Sequence, residues 1–255
     1  MLRRTSDLTG FKIIASDGPI GTVSDFLFDD ITWLVRWMVV DTGNWLPGRK
    51  VLLPPNAFGH ADMDAQEFSV RLTKADVSSS PDIDTDKSVT RQMETNIYEY
   101  YGWSPYWDYG ATLSPFPYAS DGFLNPTAVQ NIRDRADQSQ ETDDPHLRSA
   151  NSVTGYHVNA TDGEIGHIET FLVEDVDWCV HFLIVATKNW WPGKSVLISP
   201  RSVRDINWMD RLVDVAASRQ KIQDSPAYDP AVPIDRTFER HFRTYYGAGS
   251  GHIQL

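Results

Sequence analysis

Carboxylates are the side chains in this sequence best suited to acid–base chemistry, and several recur at an interval of 145 residues. A hydrolase built on paired carboxylates needs two of them to converge across a cleft. Two recurring pairs, at positions 17 and 162 and at positions 30 and 175, lie in predicted turns, where Asp bonds its own backbone. A third pair, Asp84 and Asp229, lies near a helix start, where an acid caps the helix. We therefore expect structural roles for them. The recurring pairs are Asp17 and Asp162, Asp30 and Asp175, Asp84 and Asp229, and Glu94 and Glu239.

Histidine and cysteine form no recurring site. None of the seven histidines has a second histidine 145 residues away, so a repeated metal or acid–base site built on histidine is not expected. Cys179, the single cysteine, aligns with Leu34 in a predicted buried strand, which favours a core residue over a nucleophile. Gly-x-Ser-x-Gly, P-loop and dinucleotide-binding motifs are missing from the sequence. We expect a non-enzymatic protein without a cofactor or metal ion, although an asymmetric site in one repeat stays open.

The interval of 145 residues reflects an internal duplication. Residues 9–102 align with residues 154–247 without a gap, and 30 of these 94 positions are identical. The sequence between the copies includes RDRADQSQETDDP, which is polar and has little to bury. The predicted segments are a first barrel repeat over 1–79, a helical extension over 80–102, a partly disordered linker over 103–149, a second barrel repeat over 150–224, and a helical extension with a flexible tail over 225–255.

Within each repeat apolar residues alternate, as in IGTVSDFLFDD and IGHIETFLVED. An Asp-Gly pair precedes each run and favours a hairpin turn. Long apolar strands follow at WLVRWMVVDT and WCVHFLIVAT, in which Arg36 and His181 are expected to face solvent. Apolar residues spaced by four then predict a helix in SVTRQMETNIYEYYG and in PIDRTFERHFRTYYG. The sequence thus predicts a mainly β protein of two duplicated small antiparallel β-barrels, without intervening helices, each followed by a C-terminal α-helix.

Two recurring sets of residues are candidates for interaction or for structure. The first is the corner Asn-Trp-x-Pro-Gly, in which Pro and Gly fix a tight turn and Trp either closes the barrel end or contacts another molecule or the other barrel. In the second set, a helical Arg and Glu three residues apart either pair or clamp the helix to its barrel. The corner residues are Asn44, Trp45, Pro47, Gly48, Asn189, Trp190, Trp191, Pro192 and Gly193. The helix residues are Arg91, Glu94, Tyr101, Arg236, Glu239 and Tyr246.

The pattern TGxxIxxxDGxIGxVxDFLFDD, followed by VVDTGNWLPGRKVLLPP, resembles the PRC-barrel domain. The resemblance covers residues 5–79 and 150–224, and it rests on the linked pattern because no single motif is diagnostic. This small β-barrel occurs in the cytoplasmic part of the photosynthetic reaction-centre H subunit and in a ribosome-maturation factor. The resemblance therefore implies a partner protein near a membrane complex or the ribosome. The membrane-spanning helix of the H subunit and the N-terminal domain of the ribosome factor have no counterpart in this sequence.

The charge of the chain narrows the choice of partner. Its formal net charge of -12 disfavours nonspecific binding to nucleic acid and to anionic lipid. We expect a protein-interaction or assembly module that binds a protein partner or forms a homodimer, possesses no membrane-inserted segment and lies in the cytoplasm. A peripheral association with a membrane complex is compatible with this expectation. The alternatives are an RNA-linked assembly factor, and a ligand binder or enzyme with an inter-barrel cleft lined by Tyr100, Tyr101, Arg91, Tyr245, Tyr246 and Arg236.

Overall fold

The structure is a computed structural model that describes residues 1–81, 91–102, 146–187, 194–232 and 234–247. These residues form two compact units, and the fold is mainly β as predicted. Each unit combines most of one repeat with short segments of the other. The unit of the first repeat comprises Asp7–Asn151 and Asp175–Cys179, and the unit of the second comprises Met1–Ser6, Ser152–Glu174 and Val180–Leu255. The segment boundaries predicted from the sequence remain predictions.

A six-stranded sheet forms the unit of the first repeat. Its strands are β2 (Lys12–Ala15), β3 (Gly18–Asp29), β4 (Val35–Asp41), β5 (Lys50–Leu53), β6 (Glu67–Ser69) and β7 (Leu147–Ser149). The order is β5-β4-β3-β2-β6, and β7 pairs with β3. The segment AFGHADMD makes two isolated bridges, from Phe58 to Val70 and from Asp62 to Glu67.

A seven-stranded sheet with the same order forms the unit of the second repeat. Its strands are β1 (Leu2–Arg4), β8 (His157–Ala160), β9 (Gly163–Glu174), β10 (Val180–Ala186), β11 (Ser195–Ile198), β12 (Val203–Asn207) and β13 (Leu212–Val215). The order is β11-β10-β9-β8-β13-β12, and β1 pairs with β9. Strands β12 and β13 lie in the segments SVRDINWM and RLVDVAA.

Both sheets depart from the predicted antiparallel arrangement. In each sheet one pair is parallel, β2 with β6 and β8 with β13, and the sheets are mixed and not closed. The parallel pairs join strands that are distant in sequence, so the chain returns by a long connection. Hydrophobic alternation reports which face of a strand is buried, but it does not report the direction of its neighbour. The two barrel-like domains were therefore predictable, whereas the strand directions were not.

The backbone conformation explains why a glycine recurs at positions 21 and 166. Both have a φ near +150°, which side chains rarely adopt. A Cβ at Gly21 would lie 2.1 Å from the carbonyl oxygen of Asp41, and a Cβ at Gly166 would lie 1.9 Å from that of Ala186. Glycine is thus required where β3 passes β4 and where β9 passes β10.

The repeats exchange their N-terminal strands. Leu2–Arg4 of the first repeat pairs with residues 172–174 of β9. Its counterpart 145 residues later, Leu147–Ser149, pairs with residues 27–29 of β3 in the equivalent register. Side chains reinforce both pairings: the hydroxyls of Thr5 and Thr170 lie 3.0 Å apart, and the amide of Asn151 donates to Asp25. Each sheet is therefore completed by a strand from the other repeat.

Asp25 is also the acceptor for a second group of the exchanged segment. Its Oδ2 accepts a hydrogen bond from the hydroxyl of Ser149. Burial raises the pKa of Asp25 above its ordinary value, and the hydrogen bonds from Ser149, Asn151 and Phe26 oppose that rise. The carboxylate is held in this desolvated position because donors from the exchanged segment face it.

Short helices interrupt the predicted all-strand repeats. Two single-turn helices, α1 (Thr5–Leu8) and α4 (Ala150–Val153), follow the exchanged strands, and α2 (Lys74–Ser78) and α5 (Arg219–Gln223) follow the last strands. Thr73 caps α2 in a capping box with Asp76, and Ser218 caps α5. The carboxylate of Asp17 accepts from the amide of Lys74, at 2.9 Å. Asp162 accepts equivalently from Arg219, at 2.8 Å. These recurring carboxylates thus fix the start of a helix.

The predicted C-terminal helices are α3 (Arg91–Tyr101) and α6 (Arg236–Gly247), and each packs on a sheet. In the first unit, Ile97 and Tyr98 of α3 pack with Trp37, Val39 and Leu52. In the second unit, Phe242 packs with the equivalent strand residues Phe182, Ile184 and Leu197, and with Leu172. Because each helix covers the outer face of its sheet, residues 35–40 and 180–185 are buried on both faces.

The strand exchange predicts the behaviour of a single repeat. A fragment of residues 1–102 retains strand β1 and the edge at residues 27–29, but it lacks β7, the usual partner of that edge. We expect two copies of the fragment to exchange β1 reciprocally and to form a dimer, which light scattering after size-exclusion chromatography measures. The fragment of residues 7–102 is the control and should lose the dimer. A stable monomer of residues 1–102 would contradict the prediction.

Candidate functional site

A buried ion-pair cluster fastens helix α3 to the first sheet. The guanidinium of Arg36 donates through Nε to Glu94 Oε1, at 3.1 Å, and its Nη2 pairs with Glu94 Oε2. Its Nη1 lies 3.3 Å from Asp29 Oδ2, and the indole nitrogen of Trp37 donates to Glu94. Arg36 is 3% exposed and Glu94 is 0% exposed. Of the two roles considered for Glu94, the contacts therefore support the second, in which it clamps the helix to the sheet.

The sequence predicted that Arg36 faces solvent, and this prediction is wrong, because Arg36 is buried. Trp37 and Val35 of strand β4 pair with Leu27 and Phe28 of strand β3. Because Leu27 and Phe28 are adjacent, Arg36 is the extra residue of a β-bulge. A bulge re-aims the side chain of the inserted residue and breaks the alternation. The same irregularity recurs in the second unit, where Val180 pairs with Val173 and Phe182 pairs with Leu172. His181 is the extra residue there, and it is 3% exposed.

In the second unit His181 replaces the arginine of the cluster. Its Nε2 lies 3.7 Å from Glu174 Oε2, and its Nδ1 lies 3.6 Å from Glu239 Oε2. Glu174 and Glu239 are the counterparts of Asp29 and Glu94. The two glutamate side chains retain 15% and 16% exposure, so they are partly solvated. The second clamp uses equivalent positions at longer distances, and its cation depends on the protonation of an imidazole.

The Tyr-Tyr pair at the end of each helix has one role per residue. The hydroxyls of Tyr100 and Tyr245 donate to the carbonyls of Asp76 and Lys221, at 2.9 and 2.8 Å. These acceptors are equivalent and lie in α2 and α5. Tyr101 and Tyr246 instead pack against the hydrophobic clusters under the helices. Burial raises the pKa of each of these two phenols to about 12. The first tyrosine therefore joins two helices, and the second extends the core.

The corner of the first repeat folds back onto its own sheet. Trp45 is half-buried, and its indole nitrogen donates to the carbonyl of Ile20. The hydroxyl of Thr42 bonds the carbonyls of Leu46 and Arg49 across the turn, at 2.7 and 2.6 Å. These contacts favour closure of the sheet end. The other corner residues of this copy, Asn44, Pro47 and Gly48, are exposed. Asn189, Trp190, Trp191, Pro192 and Gly193 lie outside the described residues.

Arg49, at the end of that corner, connects it to the short helix. Its Nη1 donates to the carbonyl of Ser78, at 2.6 Å, and its Nη2 donates to that of Ser80. This role of Arg49 was not predicted from the sequence. The available signal was a basic residue at both equivalent positions, Arg49 and Lys194, directly before strands β5 and β11.

The remaining candidates occupy separate positions. Arg91 and Arg236 are the first residues of α3 and α6, and Arg236 is exposed. Cys179 is buried, as expected of a core residue, and its backbone bridges to Leu34 within the first unit. Asp30 lies 2.8 Å from the imidazole of His146 and 2.9 Å from the guanidinium of Arg148. Asp84 lies outside the described residues, and Asp229 accepts from the amide of Ala231.

Removal of the buried cation should destabilise the first unit. In an Arg36→Leu variant Asp29 and Glu94 stay buried without their cation, which costs about 3–5 kcal/mol of unfolding free energy. His181→Leu is the matched control and should cost less, because its carboxylates are partly solvated. Chemical denaturation followed by circular dichroism measures both changes. An Arg36→Leu loss no larger than that of His181→Leu would refute the account of the clamp.

The buried tyrosines predict a loss of stability in alkali. The unfolded phenols lose their protons near their ordinary pKa of about 10, whereas Tyr101 and Tyr246 keep theirs until about 12. Stability therefore falls as the pH rises above 10. We expect a Tyr101→Phe/Tyr246→Phe variant to lose less unfolding free energy than the parent between pH 10 and 12. Equal losses, measured by denaturant titration at each pH, would contradict this expectation.

Comparison with known families agrees with this architecture. Residues 2–77 match the PRC-barrel domain, whereas curated proteins give no match to the chain. Among the residues that the structure describes, no helix combines the length and the apolar character needed to cross a membrane. The family match supports a general role in interaction or assembly. The first repeat of this chain, completed in its sheet by a strand of the second, is a PRC-barrel domain.

Proposed function

We propose that the protein is a non-enzymatic interaction module that assembles with a protein partner or with a second copy of itself. The observation that carries this proposal is the PRC-barrel match over residues 2–77. The second sheet has the same strand order as the first. The chain therefore offers two similar scaffolds, and we propose that the partner binds a surface of one of them.

The positions of the recurring carboxylates support a non-enzymatic role. Glu94 is fully buried and its oxygens bond Arg36 and Trp37. Asp17 and Asp162 accept hydrogen bonds from helix amides. A general acid or base must reach the proton that it transfers. Carboxylates engaged with the protein's own groups are better suited to holding elements together than to proton transfer.

The net charge of -12 supports a protein partner over a nucleic acid. The resemblance to the reaction-centre H subunit extends the proposal to a partner at the surface of a membrane complex, without insertion of this chain into the bilayer. The expected location of such a module is the cytoplasm. Photosynthetic and ribosomal settings both follow from the family resemblance, and the acidic charge makes the ribosomal setting the less favourable one.

Affinity capture after crosslinking in the source cells tests the proposal. The tagged chain is purified from soluble and membrane fractions with nuclease present, and its sedimentation is measured separately at several concentrations. We expect a defined protein retained in constant ratio, or self-association that increases with concentration. A monomer that retains no protein, or retention that nuclease abolishes, would exclude the interaction module as proposed.

A further inference from the structure

Helix α6 presents one face to its sheet and the opposite face to solvent. Phe238, Phe242 and Tyr246 pack toward the cluster that contains Phe182 and Leu197. Since residues three and four apart share a helix face, the remaining positions point away from the sheet. The exposed residues of the helix are Arg236, Thr237, Arg240, His241, Arg243 and Thr244.

This outer face of α6 is basic in a strongly acidic protein. It carries three exposed arginines and one exposed histidine. Among the described side chains of the helix, the single acid is Glu239, which is directed toward His181. Asp235 precedes the helix and accepts the amide of Phe238 at 2.7 Å. A concentrated positive face on a chain of net charge -12 attracts anionic groups locally.

The duplication shows that the fold does not require this charge. The counterparts of Arg240, His241 and Thr244 on α3 are Thr95, Asn96 and Glu99. Tyr98 is the counterpart of Arg243, and it is 4% exposed and packs on Trp37 with ring centroids 4.9 Å apart. Helix α3 thus fulfils the same packing role without a basic face. Arg236 recurs as Arg91, whereas Arg240 and Arg243 are a property of the second repeat.

We propose that the outer face of α6 binds an acidic segment of a protein partner. This inference rests on the proposed function and names the surface and the partner chemistry. Arg236, Arg240 and Arg243 follow one another by four and three residues, or roughly 6 and 4.5 Å along the axis. Alternate residues of an extended peptide lie about 6.5 Å apart on one face. An extended segment with Asp or Glu at alternate positions therefore places its carboxylates opposite successive arginines.

A protein segment fits this face better than a nucleic acid or a membrane. A long polyanion or an anionic bilayer meets the charge of -12 over a wide area and is repelled. A short acidic segment contacts the helix alone and is screened from more distant acids beyond about 8–10 Å. Guanidinium groups also bind carboxylates in bidentate geometry, which favours arginine at such a surface.

Fluorescence anisotropy with the intact protein tests the inference. The probe is a labelled peptide with glutamate at alternate positions, titrated at an ionic strength of about 0.1 M, at which distant acids are screened beyond about 10 Å. We expect binding that weakens as salt is added and that falls at least about tenfold in an Arg240→Glu/Arg243→Glu variant. The matched control is Arg201→Glu/Arg204→Glu, which reverses two exposed arginines elsewhere in the same unit and should change affinity less than about twofold.

Several outcomes would overturn the inference. These are no binding of the peptide at this ionic strength, equal losses in the two variants, and tighter binding of a single-stranded oligonucleotide or of phosphatidylserine vesicles through the same arginines. Circular dichroism checks that both variants stay folded. The affinity capture described above separates the two proposals. If the Arg240→Glu/Arg243→Glu variant still retains the partner of the parent protein, the surface is wrong while the interaction module stands.

Discussion

The buried pair between the bulge residue Arg36 and the helix carboxylate Glu94 is the constraint on which the rest of the first unit depends. Arg36 is desolvated, and it remains favourable in the interior because Glu94 and Asp29 supply charge and hydrogen bonds. The bulge that directs it toward the helix also sets the register between β3 and β4. Once Glu94 is fixed, α3 must lie over Trp37, Val39 and Leu52. The helix thereby covers a strand that is apolar on both faces.

The second unit shows how far this arrangement can vary. His181 stands where the arginine does, Phe182 replaces the tryptophan donor, and Phe242 packs edge-on against Phe182 with centroids 4.8 Å apart. Aromatic packing therefore takes over part of the attachment that charge provides in the first unit. The hydrogen bonds from Tyr100 and Tyr245 to the short helices are unchanged. Geometry is retained between the repeats while the chemistry of the clamp changes.

The shared polar residues hold each unit together, so the features that differ between the repeats are the better candidates for a binding role. Carboxylates at helix starts and in the clamp are needed to hold each unit together, so their recurrence is explained without a reaction. Two arginines on the outer face of α6, Arg240 and Arg243, have no arginine counterpart on α3. Exchange of β1 and β7 has a further consequence, because each sheet is complete only when both repeats are present. An interaction module of this kind folds as a pair of repeats.

The sequence by itself determined the duplication, the mainly β class, the two terminal helices and the core position of Cys179, since these follow from hydrophobic period and residue identity. It also identified Glu94 and Glu239 as candidates. Their cationic partners, Arg36 and His181, were expected to face solvent, but both are buried. Tertiary structure alone decided the bulge at Arg36 and His181, the parallel strand pairs and the exchange of N-terminal strands. Local periodicity describes one strand, whereas a bulge, a strand direction and an exchanged edge depend on which strand lies beside it. That neighbour is chosen by contacts between residues far apart in the chain.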